Sequence, residues 1–465
     1  MNRPPEVDSA GTLACPASVV AENRPAAEAF MQRPFGHHFS LGVMSLFVEM
    51  VLGAAVSLRG AASVIELVSR WLPGPDATPG AAGGQNWILR LGLYALDRDK
   101  QKADDWAWIV DHTIQLGPLK VFLVVGVRLS AWNGNRGPLT HHELEIILME
   151  SVTRSTGEVV QEQLERAAEK TGPPRMILSD HGTDLKRGIG FFCQKHPQTA
   201  AVDDIKHYAA RMVKRELEGD PRWSAFIRNT NQTKTNIRQT WLAHLMPPAR
   251  REKARFMNVD VFVHWGQKTL AYLESPASAT LDDAKRKVLQ TKLGWLRGFG
   301  EELSQWGAMV QRIDEALHEI RNEGYHAQSA ARLGTVWKEV STATPGGRVA
   351  AELLKFVRSQ SCKAEEGEHL LGSSQVLESL IGKGKRLHGQ HSKGGFTKML
   401  LAMAAAVAPP TGAVLRAALD RIKTRDVTNW TRQHLGVSLT SQRRLAYTNA
   451  EQNQHKQLKS RNHRF

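Results

Sequence analysis

A chain of 465 residues, 42% hydrophobic and 23% charged, buries a sizeable core, which excludes both a small disulfide-stapled module and a disordered polypeptide. Its net charge of +15 favours a polyanionic partner, nucleic acid or an anionic membrane surface, recruited through counterion release. Cys15, Cys193 and Cys362 are too few and too scattered for a disulfide framework or a CxxC zinc site and suit a reducing cytoplasm.

Residues 1–35 are rich in Pro, Ala and Glu without periodicity and are expected to form a disordered leader. The apolar stretches Leu46–Ala62 and Met399–Val407 are too short or too interrupted to span a bilayer, so a soluble protein without a membrane partner is expected. Residues 36–105 show helical spacing, with a Pro/Gly-rich break before NWILRLGLYAL and its Arg90. That pattern suits a helix-turn-helix DNA reader and a plain helical bundle equally well.

From Trp106 the period changes. WAWIVDHTIQLG and KVFLVVGVRLSAW, separated by Gly117-Pro118, predict a β-hairpin in a buried sheet. Thr140 with Glu143 makes a capping-box pattern, followed by an amphipathic helix through Val160, Leu164 and Ala167 that Gly172-Pro173-Pro174 ends. RMILS predicts a strand ending at Asp180, a helix through Leu185, Ile189 and Phe192 follows, TAAVDDI predicts another strand, and HYAARMVKREL another helix. The order of hairpin, helix, strand, helix, strand, helix predicts a mixed α/β layer over residues 106–218.

Residues 219–367 read as an all-helical unit with basic clusters and the aromatic anchors Trp241, Trp265, Trp295 and Trp306. SSQVLESLIGKGKRL and FTKMLLAMAAAVAPP then return helices to the α/β layer over residues 368–410. The small-residue run LLAMAAAVAPP has no functional reading. Residues 411–465 form a basic tail with eleven Lys and Arg against three Asp and Glu.

Asp111 stands among apolar strand residues, where a carboxylate is costly unless it is paired or holds a metal. Asp180 stands at the C-terminal end of another apolar strand, the edge at which ligands of open α/β sheets collect. Alone, each is a cap or a satisfied polar group; together on one small sheet they point to a metal site. Carboxylates without a His/Cys cluster select Mg²⁺ or Mn²⁺, and in a basic protein such a site suits phosphodiester chemistry.

DWAWIVDHTIQLG, RMILSDHGTDLKRGI, DDIKHYAARMVKREL and SSQVLESLIGKGKRL together resemble a bacterial insertion-sequence transposase with an RNase H-like DDE core. The resemblance covers roughly residues 85–410. It implies an RNase H-like mixed α/β sheet interrupted by an all-α insertion, with Asp111, Asp180 and Glu378 as the catalytic, metal-holding carboxylates. Asp111 and Asp180 are 69 residues apart, whereas 198 separate Asp180 from Glu378, an excess that matches the helical unit. Transposases of the hAT and Mutator type carry an insertion there and a C/D(2)H pair, which Asp204 and His207 match; the resemblance places His207 near the scissile phosphate, against a plain capping role. Asp184 is expected to be a helix N-cap and Asp203 to face away from Asp204. Glu301 and Glu302 are the rivals of Glu378, and Ser373 or Ser374 is expected to cap its helix.

The implied function is transposition: metal-dependent cleavage at the element's ends and transfer of the freed 3′-hydroxyl to target DNA. The rivals are an RNase H-like nuclease without strand transfer and an inactive DNA-binding protein derived from a transposase. Double-stranded DNA is the expected partner, contacted by Arg238, Arg250, Arg251, Lys253, Arg255, Lys383 and Lys385, with Trp241 either stacked on a base or in the core. The family implies a homodimer or higher oligomer on DNA and a cytoplasmic, nucleoid-associated protein.

Overall fold

The computed structural model describes residues 31–71, 78–116, 119–180, 182–249, 256, 258–338, 341–389, 398–409, 411–437 and 439–462; residues 1–30 of the expected leader lie outside them. The apolar run from Trp106 forms β1 (Trp106–Leu116), antiparallel to β2 (Leu119–Arg128). β3 (Glu145–Val152) pairs antiparallel with the outer side of β2. On the other side, β4 (Met176–Ser179) runs parallel to β1, and β5 (Ala200–Asp203) parallel to β4. The order β3-β2-β1-β4-β5, with three antiparallel strands and two added in parallel, is the RNase H-like arrangement. Central strands covered on both faces read as continuous apolar runs rather than alternating ones, which is why WAWIV and VFLVV contain no polar residue.

One expectation is corrected here. Thr140 and Glu143 do form a capping box, but it closes a single 3-10 turn, His141–Glu143, and leads into β3 rather than into the next helix. That helix, α4 (Gly157–Thr171), has its own cap, Thr156; among the described residues the longer helices α1 (Leu41–Leu52), α2 (Leu58–Trp71) and α3 (Ala81–Asp97) precede it. A four-residue apolar run such as Ile146–Met149 does not distinguish an edge strand from a buried helical segment by period alone.

Strand alternation divides the sheet into two faces. Trp106, Trp108, Val110, Phe122, Val124 and Ile177 pack with Val160 and Leu164 of α4 and with Leu185, Ile189 and Phe192 of α5 (Thr183–Lys195). Ala107, Ile109, Leu123, Val125, Leu178 and Val202 belong to the larger core on the other face. Ile205, Ala209 and Met212 of α6 (Ile205–Leu217) join the same core, and after the insertion the helix Gln375–Gly389 packs against β1.

The insertion runs through α7 (Pro221–Ile237), α8 (Val259–Glu274), α9 (Asp283–Leu293), α10 (Gly300–Glu323), α11 (Ser329–Val336) and α12 (Pro345–Ser361). Its centre is aromatic: the Phe226 ring lies 5.3 Å from Trp306, 5.8 Å from Trp295 and 6.5 Å from Trp265. Trp241 stands apart, 38% exposed, so it is not a core anchor. The chain returns through a bridge between Tyr325 and Leu370 into α13 (Gln375–Gly389).

The small-residue run becomes intelligible as packing. Leu401 to Val407, including α14 (Leu401–Ala405), is buried on all sides and lies on α3, where a Cβ at Gly92 would sit 2.0 Å from the Leu401 carbonyl oxygen. α15 (Gly412–Arg421) and α16 (Thr424–Leu435) complete this layer, and α17 (Leu439–Asn462) follows them. Arg90 lies on the buried side of α3, 7% exposed, and donates to the carbonyls of Leu419 and Ile422. It satisfies the orphan carbonyls at the end of α15 and is not available as a DNA reader. Among the described residues no helix is long and apolar enough to cross a membrane.

Candidate active site

Ile109 and Leu178 point into the larger core, so two residues further on Asp111 and Asp180 share that face. Val110 is the register partner of Ser179, which sets the two aspartates side by side where β1 and β4 leave the core. Burial, reinforced by the charge of Asp180, pushes the Asp111 carboxyl up to about 7, although its hydrogen bond from the His112 backbone opposes this. Asp180 is held by its own turn, its Oδ1 accepting the Gly182 N–H at 2.9 Å.

Glu378 comes from the first turn of α13. Its Oε2 accepts Lys206 Nζ at 2.7 Å, and its Oε1 lies 3.1 Å from His207 Nε2. Burial alone would raise its pKa, but the hydrogen bonds and charges of His207 and Lys206 outweigh it and bring the carboxyl down to about 2. His207 is the mirror case: burial disfavours its charge, yet the Glu378 hydrogen bond and the Asp204 and Glu378 charges raise its pKa. The charges of Asp180, His207 and Glu378 all act on Asp111. Four segments, at Asp111, Asp180, Lys206–His207 and Glu378, thus approach one edge of the sheet.

Asp204, only 1% exposed, is the joint between them. Its Oδ1 accepts the His207 N–H at 2.8 Å, capping α6, and its Oδ2 accepts the Ser374 N–H and hydroxyl at 2.6 and 2.9 Å. Three donors satisfy a carboxylate that would otherwise be costly to bury. Cap and imidazole divide the work at His207: its backbone closes the helix and its ring holds Glu378. The Ser374 hydroxyl is engaged with Asp204, while Ser373 Oγ accepts the Gln375 N–H at 3.4 Å.

Other expectations fall differently. Asp184 is not an N-cap, because α5 begins at Thr183 after Gly182; its carboxylate accepts the Leu185 N–H and lies 3.8 Å from His112 Nδ1. Glu301 is exposed and Glu302 is ion-paired with Arg222; neither is among the groups acting on Asp111. Arg238 is exposed at the end of α7, and Arg250, Arg251, Lys253 and Arg255 lie outside the described residues. Lys385 is exposed and Lys383 half-buried, its pKa lowered by burial and by Arg386. Lys206 was not anticipated. Its signal was its place in the first turn of α6, beside His207.

Among the described residues no three His, Cys, Asp or Glu groups converge closely enough to hold a metal ion. Asp111 and Asp180 do converge as a pair of hard oxygen donors, and the burial and the neighbouring Asp180 charge that raise the Asp111 pKa are costs that a divalent cation relieves. The pair therefore fits such an ion by donor chemistry, while Glu378 is drawn to Lys206 and His207.

No protein-family model matches the chain, and no curated protein matches it. Among solved structures it is similar to the Drosophila P element transposase strand transfer complex, with 11% identity and a TM-score of 0.40, over 81% of this chain and 92% of that one.

Proposed function

We propose that this chain is a DNA transposase that cleaves the ends of an insertion sequence and joins them to target DNA by in-line transesterification. The observation that carries the reading is the pairing of Asp111 and Asp180 at one edge of an RNase H-like sheet, with Glu378, held by Lys206 and His207, near enough for its charge to act on Asp111; 69 and 198 residues separate the three carboxylates in sequence. Asp111, Asp180 and Glu378 would hold Mg²⁺ or Mn²⁺, which when bound supplies Lewis acidity toward phosphoryl oxygens and activates water.

The chain's own groups do the rest. Asp204 fixes α13 to the start of α6, so the Glu378 carboxylate is presented toward the aspartate pair. Lys206 and His207 keep it ionised, ready to exchange these partners for a metal. Arg238, the basic residues 250–255, Lys383 and Lys385 neutralise phosphates of double-stranded DNA, and exposed Trp241 is open to stack on an unpaired base. We place the active form as a homodimer or higher oligomer on DNA, in the nucleoid.

The test uses intact and pre-cut DNA carrying the element's ends, with Mg²⁺. The reading expects end cleavage and joining of the pre-cut 3′-hydroxyl to a target plasmid, both lost in Asp180→Asn with binding retained. Cleavage without joining would identify a nuclease, and binding without either reaction an inactive derivative.

A further inference from the structure

A second concentration of charge lies beside the catalytic cluster. The turn before β3 carries His141 and His142 in succession, and α13 carries Lys383, Lys385 and Arg386 beyond Glu378. The fold brings these distant segments together: His141 and Ser379, the latter one helical turn before Lys383, line the same cavity, and the charges of Lys383 and Arg386 act, after burial, to lower the His141 pKa. His142, Lys385 and Arg386 are exposed, and His141 and Lys383 half-buried.

Among the described residues, no ion pair engages any of these five groups. The one acid of the turn, Glu143, directs its carboxylate onto the Thr140 N–H and hydroxyl, 2.6 Å each. Next to the cluster is a cavity of about 480 Å³, lined among others by Thr140, His141, Ser373, Ser379 and Arg321, and the Arg321 Nε is buried without a hydrogen-bond partner. Basic groups held together without counter-charge repel one another, and an anionic ligand relieves that cost.

A helix rises about 1.5 Å and turns about 100° per residue, so Lys385, seven residues after Glu378, returns to the Glu378 side about 10 Å along the axis. Lys383 and Arg386 stand further round the helix, about 140° and 80° from Glu378, so Lys385 links them to the catalytic edge and the charge is spread over two elements rather than focused on one point. An extended polyanion fits this better than a single small anion.

We propose that the His141–His142 turn and the Lys383–Arg386 segment of α13 form one binding surface for the phosphate backbone of double-stranded DNA, leading the strand to Glu378. Lys383 and Arg386 ion-pair with phosphates, and His141 and His142 donate ring N–H groups to phosphate oxygens. This deepens the transposase reading and rests on it. It adds His141, His142 and Arg386 to the DNA-contacting residues and places them in one track with Lys383.

The experiment is fluorescence anisotropy of a double-stranded end-DNA oligonucleotide with the full chain, over a series of salt concentrations. Each phosphate contact contributes about 0.9 to the slope of log affinity against log salt, so Lys383→Gln/Arg386→Gln should lower the slope by about 2. Arg386→Gln alone, at an exposed site, should lower it by about 1 and guards against misfolding of the double variant, which thermal melting monitors. His141→Gln/His142→Gln should weaken binding by about threefold or more. Unchanged slope and affinity in these variants, beside a parent that binds DNA with a steep slope, would overturn the surface and leave the transposase reading standing. Failure of the parent to bind DNA would sink that reading instead. Binding abolished by millimolar inorganic phosphate at constant ionic strength would mark a small-anion pocket and also overturn the proposal.

Discussion

Ser374 gives both its backbone N–H and its hydroxyl to a single oxygen of Asp204, at 2.6 and 2.9 Å, across 170 residues of chain. Through this contact the helix carrying Glu378 is registered against the helix carrying Lys206 and His207. Hydrogen bonds to a buried charge contribute about 1.5–3 kcal/mol each. Ser374→Ala should therefore lower stability by about that amount in a urea titration, and Asp204→Ala by more, since it strands the Ser374 and His207 N–H groups. A loss below about 0.5 kcal/mol in Ser374→Ala, the level of an ordinary surface change, would show that the joint does not bear on stability.

Asp111 and Glu378 should respond to pH in opposite directions. The Asp111 pKa is about 7 in the folded chain against an ordinary 3.8, so its contribution is fully present below 3.8 and disappears as pH rises through about 7. Asp111→Asn should consequently be more stable than the parent near about pH 8 and gain little near about pH 4. Glu378, at about 2 against 4.5, contributes above 4.5 and loses that contribution as pH falls through about 2. Denaturant titrations at several pH values check both signs.

Removing the like charge beside Asp111 should relax it. In Asp180→Asn the Asp111 carboxyl should titrate at a lower pH than in the parent while staying above its ordinary value, because burial is the larger cause. Carboxyl-carbon NMR titration reads this without any catalytic assay, and an unmoved Asp111 would deny that the two aspartates share a site.

The third carboxylate separates from its rivals by substitution. Glu378→Gln should eliminate metal-dependent cleavage with end binding retained, and should lower the His207 pKa, which depends on the Glu378 hydrogen bond. Glu301→Gln and Glu302→Gln should leave substantial cleavage, the latter losing only its pair with Arg222. A dead Glu302→Gln beside an active Glu378→Gln would reverse the assignment.

Gly92→Ala tests the layer that joins the two ends of the chain. A methyl group there would meet the Leu401 carbonyl oxygen at 2.0 Å, which backbone atoms relieve only by separating α3 from α14. Overpacking of this kind costs about 1–3 kcal/mol, and a correspondingly lowered Tm is the expected result. The same contact means that removing residues 36–105 would uncover the apolar surface of Leu401–Val407 rather than detach an independent unit.

The sequence by itself determined the buried hairpin, the existence of strands within RMILS and TAAVDDI, and the helical interruption before Glu378. Those features rest on local pattern: unbroken apolar runs, breaks at Gly and Pro, and the spacing of apolar residues along helices. It also set Asp111 inside one apolar strand and Asp180 just after another, since apolar runs are visible in one dimension. The tertiary structure alone decided the rest. Arg90 looks like a surface cation until the end of α15 brings carbonyls to it, and LLAMAAAVAPP has no meaning without Gly92 opposite it. Glu302 and Glu378 are equivalent as letters on amphipathic helices; Arg222 takes one, and Lys206 and His207 take the other. A charged side chain's role depends on which partner desolvates or neutralises it, and those partners lie scores of residues away, where no local period reaches.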